Sequence, residues 1–470
     1  VENNENLVWK SAVELTQMMQ AGTVSSREVT TAHLEHIDRV NPDVNAIVTL
    51  LPDHALAMAD AADARQAAGE SLGILHGIPT AHKDLFPTAG IRTTRGSPLF
   101  ADDVPTENAL IIQRQIDAGV VTLGKTNTPE FGMGSNTFNP VFGATANPYD
   151  RNKTAGGSSG GASAALASGM VPIADGSDMG GSLRNPAAFC NVVGLRPSPG
   201  RVPDWPKQAS WDYLAVSGPM ARTVDDVALL LAAQAGPDPR VPIALDQPGT
   251  NFIPPIAAAT DSLQIAWAPD LGGLPIAPEV TAALAAVPDV FAGLGHHVED
   301  ACPDLSGAFM VFDTVRAWFY AMALGESEHL DQVKETAQWN VQRGLDLSIG
   351  DHIDAFKVRA EIFQRTATFF ETYDFLLCPV TQVAPFDLDL EYPTEIGGVE
   401  MTTYIEWMRV CTDVTVMNCP AISIPAGFTP DGLPIGLQIV GPPRADRAVL
   451  EIAKQFETAT NVAAQRPPGL

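Results

Sequence analysis

Basic residues are in short supply: 28 Lys and Arg stand against 55 Asp and Glu, a formal net charge of −27 on 470 residues. Such a surplus repels phosphate backbones and anionic lipid head groups, so neither nucleic acid nor a membrane surface is an expected partner. Cysteine is scarce as well. Cys190, Cys302, Cys378, Cys411 and Cys419 are odd in number, widely spaced and form no C-x-x-C pair. That argues against a disulfide framework or a zinc ribbon and for a reducing compartment. No run approaches the ~18 consecutive apolar residues of a membrane-spanning helix. The acidic, polar stretch from Val1 to Trp9 is unlike a signal peptide. A soluble, cytoplasmic protein is expected, and the start at Val1 instead of Met leaves room for a removed upstream segment. Low-complexity linkers, charge blocks and internal repeats are missing too, which favours one large domain over several. No stretch marks a subunit interface, so the sequence leaves the oligomeric state open.

What is present is an ordinary globular composition, 45% hydrophobic and 18% charged, patterned as alternating helices and strands. Ser25-Ser26-Arg27-Glu28 has capping-box spacing, and Val29, Leu34 and Ile37 follow at helical intervals up to Asn41-Pro42. The pattern predicts helices over Ala55 to Ala68, Ala109 to Ala118, Ala162 to Ser168 and Val224 to Ala235. Strands are expected over Leu75 to Ala81, Val120 to Leu123, Val171 to Ala174 and Leu263 to Trp267. From about Ser306 to Tyr373 strand signals fade and Phe309, Phe312, Val315 and Phe319 recur at helical spacing, the mark of a helical insertion or lid. Strand patterns return at Phe375 to Val380, Ala421 to Pro425 and Pro434 to Val440, before a closing helix from Ala445 to Thr458. This alternation predicts an α/β fold.

The most unusual segment is Gly156-Gly-Ser-Ser-Gly-Gly161. Alone it has a flexible linker as its alternative reading. Here it runs into a helix and a strand and is followed by a second glycine-rich turn, Asp178-Met-Gly-Gly-Ser-Leu-Arg184. Glycines let backbone N–H groups approach a ligand oxygen. The N–H groups of Met179, Gly180, Gly181 and Ser182 are therefore candidates for an oxyanion hole beside a serine nucleophile. Neither turn has the endings of a phosphate loop or a dinucleotide site. Gly156 to Gly160 satisfies G-x-S-x-G, yet the polar run Asn147 to Lys153 stands where a nucleophile elbow needs a strand. His296, His297, His329 and His352 read as structural or surface residues. A lysine held neutral by burial is another base for a serine. Lys83, at the end of the mostly apolar Gly77 to Phe86 stretch, is the candidate; by spacing alone, a surface lysine paired with Asp84 fits as well.

Taken in order, Gly77-Ile-Pro, Lys83-Asp84, Leu123-Gly-Lys-Thr-Asn127, the two glycine-rich turns and Gly432-Leu-Pro-Ile-Gly-Leu-Gln438 resemble the amidase signature family of serine hydrolases. The resemblance covers nearly the whole chain. It implies a single domain over residues 1–470 with a central mixed β-sheet covered by helices on both faces. It also implies Ser182 as acylating nucleophile, Ser158 as bridging serine after a cis peptide bond from Gly157, and Lys83 as proton acceptor. Ser159, Asp178 and Arg184 match supporting positions, and neither a metal nor an organic cofactor is implied. In finer detail the sequence is similar to bacterial aryl acylamidase, nylon-oligomer hydrolase and urethanase-type members. The expected substrate is a small neutral, partly aromatic amide or carbamate, with esters as a side activity. Arg201, Trp205 and Phe319 are candidate substrate-binding residues, with core packing the alternative for the aromatic ones. A second function in reserve is the amidase subunit of a tRNA-dependent amidotransferase, releasing ammonia from glutamine.

Overall fold

The computed structural model describes residues 4–470. Its centre is an eleven-stranded sheet. From one edge the strands run Ile47–Leu50, Val121–Thr126, Pro79–Lys83, Ile173–Asp178, Val216–Ala221 and Val193–Arg196. They continue with Ala421–Phe428, Pro434–Val440, Phe375–Pro379, Gln264–Trp267 and His297–Asp300. Pairing is parallel where Pro79–Lys83 meets both neighbours and again between the last three strands, and antiparallel elsewhere.

Side chains alternate between the faces of a strand, and each face here carries its own apolar core. On one side Ile78, Ile173, Leu195, Ala221, Ile422, Ile439, Leu377 and Ile265 meet the helices Ala12–Gln20, Val224–Gln234 and Asp446–Thr460. On the other, Ala81, Ala174 and Met220 meet Pro52–Ala67 and Gly160–Ala167, while Ala421, Val440, Leu376 and Ala266 meet Arg409–Val416. A buried Leu or Ile side chain contributes roughly 1.5 to 3 kcal/mol, so this double-sided burial is the main stabilising contribution. Three further helices, Ala308–Leu324, Glu335–Leu345 and Ile349–Phe369, fall in the chain between the strands His297–Asp300 and Phe375–Pro379. Val311, Phe312 and Val315 of the first are buried in the core, whereas Trp318, Trp339, Ile349 and Phe356 remain exposed. Among the described residues no helix is long and apolar enough to cross a membrane.

Three local departures from the sequence pattern matter for the site. The strand expected over Leu75 to Ala81 begins at Pro79 and runs to Lys83; before it, His76 and Ile78 donate their N–H groups to the Gly73 and Leu75 carbonyls as turns, while Leu75 and Gly77 donate to the Ala118 and Gly119 carbonyls. The helix Ser26–Val44 passes through Pro42, and Asn41 then ties down the exit by accepting the N–H groups of Ala46 and Ile47. Val216–Ala221 is a central strand although Gly218-Pro219 masks it. A Cβ at Gly218 would sit 2.6 Å from the Leu195 carbonyl oxygen, so only glycine allows that close pairing.

Candidate active site

The strand Pro79–Lys83 ends at the C-terminal edge of the parallel part of the sheet, where its last side chain meets the two glycine-rich turns. Lys83 is fully buried. Its Nζ donates to Ser158 Oγ at 2.8 Å, Ser159 Oγ at 2.9 Å and Ser177 Oγ at 3.0 Å. The alternative pairing with Asp84 is not what the fold builds: the Asp84 carboxylate accepts from Thr94 instead. Burial pulls the Lys83 ammonium down to about 7, while the carboxylates of Asp178 and Asp175 pull more weakly the other way. A lysine so placed is half neutral near neutral pH and able to accept a proton.

The first glycine-rich turn is built into the fold, not a linker. Ser135 Oγ donates to the Gly157 carbonyl at 2.5 Å. A Cβ at Gly161 would lie 2.3 Å from the Asn127 nitrogen, so the helix that starts here presses its backbone directly against the neighbouring strand end. The peptide bond between Gly157 and Ser158 is cis. Ser182, on the second turn, is partly exposed and lines the same cavity as Ser158 and Ser177.

Asp178 organises the second turn. Its Oδ1 accepts the Gly181 N–H at 2.9 Å and its Oδ2 the Leu183 N–H at 3.2 Å. Of the four expected oxyanion donors, Gly181 thus has its N–H directed at Asp178. Gly181 contributes shape: at φ +110 it turns the chain where a Cβ would strike Cys411 at 2.6 Å. Arg184 Nε and Nη2 reach the carboxylate at 3.0 and 2.9 Å, and Arg196 Nη1 at 3.2 Å. Burial opposes the ionised form, but Arg184 and Arg196 outweigh it and hold Asp178 well below the usual carboxylate range. Arg184 also donates to Gln438 Oε1 at 2.6 Å and Thr415 Oγ1 at 2.8 Å, binding the turn to the far half of the sheet.

The cavity has a volume of about 360 Å³. Ser158, Ser177, Ser182 and Asp178 line it together with Asp204, Lys207 and Gln208, and Phe86, Phe131, Phe319 and Tyr320 supply aromatic surface. Phe319 is therefore where a substrate-binding residue is expected. Arg201 and Trp205 are not among the lining residues. Arg201 is buried, paired with Asp446 through Nε at 3.1 Å and Nη2 at 3.0 Å, and lies over the Phe252 ring. That pairing makes it a fixed structural cation away from the cavity. Trp205 stands outside beside Arg240, and its neighbours Asp204, Pro206 and Lys207 reach the cavity in its place. Sequence reasoning missed Ser177 and Arg196. The first adjoins Asp178 in an unbroken polar run, which was its only signal.

The sequence and the fold that hold this buried lysine among serines have their counterpart in a known class. A profile of the Amidase family matches residues 28–450, and the chain belongs to that family: it is an amidase signature hydrolase acting on amides. It is 36% identical over 484 residues to an acylamidase of Rhodococcus erythropolis, covering 98% of both chains. An equal identity, 36% over 494 residues, relates it to one of the subunits of the glutamyl-tRNA(Gln) amidotransferase of Acidothermus cellulolyticus, covering 97% of this chain and 95% of that one. Among solved structures, a bacterial aryl acylamidase of the amidase signature family superposes with a TM-score of 0.89 at 30% identity. It covers 98% of this chain and 99% of its own. A 6-aminohexanoate cyclic dimer hydrolase bound to its substrate gives a TM-score of 0.88 at 28% identity over the same shares.

Proposed function

We propose that the protein cleaves the C–N bond of neutral, partly aromatic amides through an acyl-enzyme on Ser182. Ser182 Oγ attacks the carbonyl carbon, Ser158 takes its proton and passes its own to neutral Lys83, and the carbonyl oxygen gathers charge against the N–H groups of Met179, Gly180 and Ser182, that of Gly181 being held by Asp178. The relay then runs backwards. Lys83 returns the proton through Ser158 to the leaving nitrogen, the C–N bond breaks, and the amine departs with the acyl group left on Ser182. Water, deprotonated by the same relay, attacks the ester and releases a carboxylic acid. Ser159 and Asp178 with Arg184 hold the two turns in place. Carbamates and esters present the same carbonyl, so urethanase and esterase turnover belong to this reading. The helix Ala308–Leu324, which brings Phe319 and Tyr320 to the cavity, acts with its two successors as the lid of the single domain.

The observation that carries the proposal is the burial of Lys83 Nζ within hydrogen-bond distance of Ser158, beside the cavity that Ser182 lines. The aromatic walls support an aryl or similarly apolar group, as does the similarity to a bacterial aryl acylamidase. The equal identity to an amidotransferase component favours a second reading, release of ammonia from glutamine. A zwitterionic amino acid needs charged partners of both signs, and Asp204 and Lys207, 4.0 Å apart in the cavity wall, are the pair it would have to separate. The test is a panel of acyl p-nitroanilides, p-nitrophenyl esters, an aryl carbamate and glutamine on the isolated chain. Anilide turnover is expected, falling at least ~10³-fold in Ser182→Ala. Full activity of that variant refutes the mechanism, and turnover of glutamine alone transfers the case to the second reading.

A further inference from the structure

Next to Lys83 lies a buried carboxylate that the relay does not use. Asp175, on the adjacent parallel strand, is fully buried. Its Oδ1 accepts the backbone N–H of Lys83 at 2.8 Å. Its Oδ2 takes the His82 ring nitrogen Nδ1 at 2.6 Å and Gln115 Nε2 at 3.0 Å. The other ring nitrogen of His82 is 3.0 Å from Thr122 Oγ1. One carboxylate therefore grips two consecutive residues of the strand that ends in the base.

A sheet does not require this. A backbone N–H in the interior is ordinarily satisfied by a carbonyl, and an ionised group there is expensive unless several donors meet it. Asp175 has three donors and no guanidinium or ammonium among its hydrogen-bond partners. Burial disfavours its charge, but His82 and the three hydrogen bonds outweigh that and keep the carboxylate ionised. Asp178, the other carboxylate near Lys83, has its charge balanced by Arg184 and Arg196. We propose, resting on the reading of Lys83 as the relay's base, that Asp175 is its positioning residue. It clamps the backbone from which the lysine projects and places one negative charge behind the amine.

The remaining charged groups around Lys83 are accounted for. On the strand Val121–Thr126, Lys125 Nζ is turned to the Phe86 carbonyl and Thr88 Oγ1. On the helix Ser26–Val44, His33 and His36 contact the Val29 and Ser168 carbonyls. Asp84 faces Thr94, and the helix Gly160–Ala167 carries no titratable side chain. Removing the charge of Asp175 therefore leaves Asp178 as the remaining carboxylate acting on Lys83 and takes from the His82 ring its carboxylate partner.

The experiment compares Asp175→Asn, His82→Gln and Lys83→Ala with the wild-type chain, reading kcat and KM for an anilide from pH 5 to 9.5. A neighbouring negative charge favours the protonated amine, so its loss in Asp175→Asn is expected to move the acid limb of kcat/KM down by about 1 pH unit. The plateau kcat falls several-fold with KM unchanged. A folded Asp175→Asn enzyme whose limb stays in place overturns the inference. Should circular dichroism show that Asp175→Asn does not fold, His82→Gln decides. It keeps the carboxylate but loosens the clamp, and kcat is expected to fall several-fold at constant KM; an unchanged kcat overturns the inference. Full activity of Lys83→Ala would remove the base itself and with it both readings. Loss in Lys83→Ala with an unmoved limb in Asp175→Asn removes only this one.

Discussion

The pH profile of the wild-type enzyme tests the central chemical claim, that Lys83 works as an uncharged amine. Burial holds its ammonium at about 7, where a lysine on the surface titrates near ~10.4. Lys83 accepts a proton only when neutral, so kcat/KM rises with pH as the ammonium loses its proton. About half the plateau is expected at pH 7, about a tenth at pH 6 and about a hundredth at pH 5. The assay is initial-rate hydrolysis of a p-nitroanilide at substrate concentrations well below KM, in buffers of constant ionic strength from pH 5 to 9.5. Under those conditions the limb reports the free enzyme. Lys83→Arg is the companion, because a guanidinium stays charged throughout the range and should abolish turnover without restoring it at high pH. A profile that is flat from pH 5 to 9, or falls above neutrality, refutes the reasoning. So would a limb displaced to pH 10, which would mean that the amine is wet.

Other expectations follow from single contacts. Asp178→Ala leaves Arg184 and Arg196 buried without their carboxylate and should destabilise the protein by about 3 to 5 kcal/mol. An unaltered urea-unfolding midpoint would show that the ion triad is idle. The same carboxylate is held below its unfolded value, so its contribution is complete above about pH 4 and is lost as the solution is acidified further. Phe319→Ala should raise KM for aryl amides about 10-fold while leaving small aliphatic amides nearly unaffected. Equal effects on both classes would place Phe319 outside the acyl or amine pocket. Gly161→Ala forces a methyl to within 2.3 Å of the Asn127 nitrogen and 2.7 Å of the Ala46 oxygen. Backbone atoms cannot yield there, so a loss of at least ~1 to 3 kcal/mol is expected in thermal melting.

Where local chemistry fixes a residue, the sequence was readable. The glycines of the first turn cluster in six positions, and that density alone signals a built loop, although the atoms that exclude a Cβ there belong to residues as distant as Ala46, Asn127 and Pro186. The helix Val224–Gln234 starts at its Thr223 cap, where the hydroxyl accepts the Asp226 N–H. What escaped is what depends on distant partners. Asp175 to Asp178 looks like the end of a strand because its residues are polar; it continues as strand because His82, Lys83 and Arg184 supply the donors. Arg201 reads as a loop cation until Asp446, 245 residues later, is folded against it. Trp205 missed the cavity by one position: its neighbours on either side reach in while its ring turns to Arg240.

Arg184 joins the serine turn to Gln438 on a strand formed near the other end of the chain. A nascent polypeptide on the ribosome therefore carries every chemical group of the relay long before it can use them. Competence arrives only when that late strand has emerged and slotted in. Premature termination ahead of it would leave an inert product, not a weakened enzyme, and two separately expressed halves would regain activity only by re-forming the seam between Val193–Arg196 and Ala421–Phe428, which this guanidinium spans.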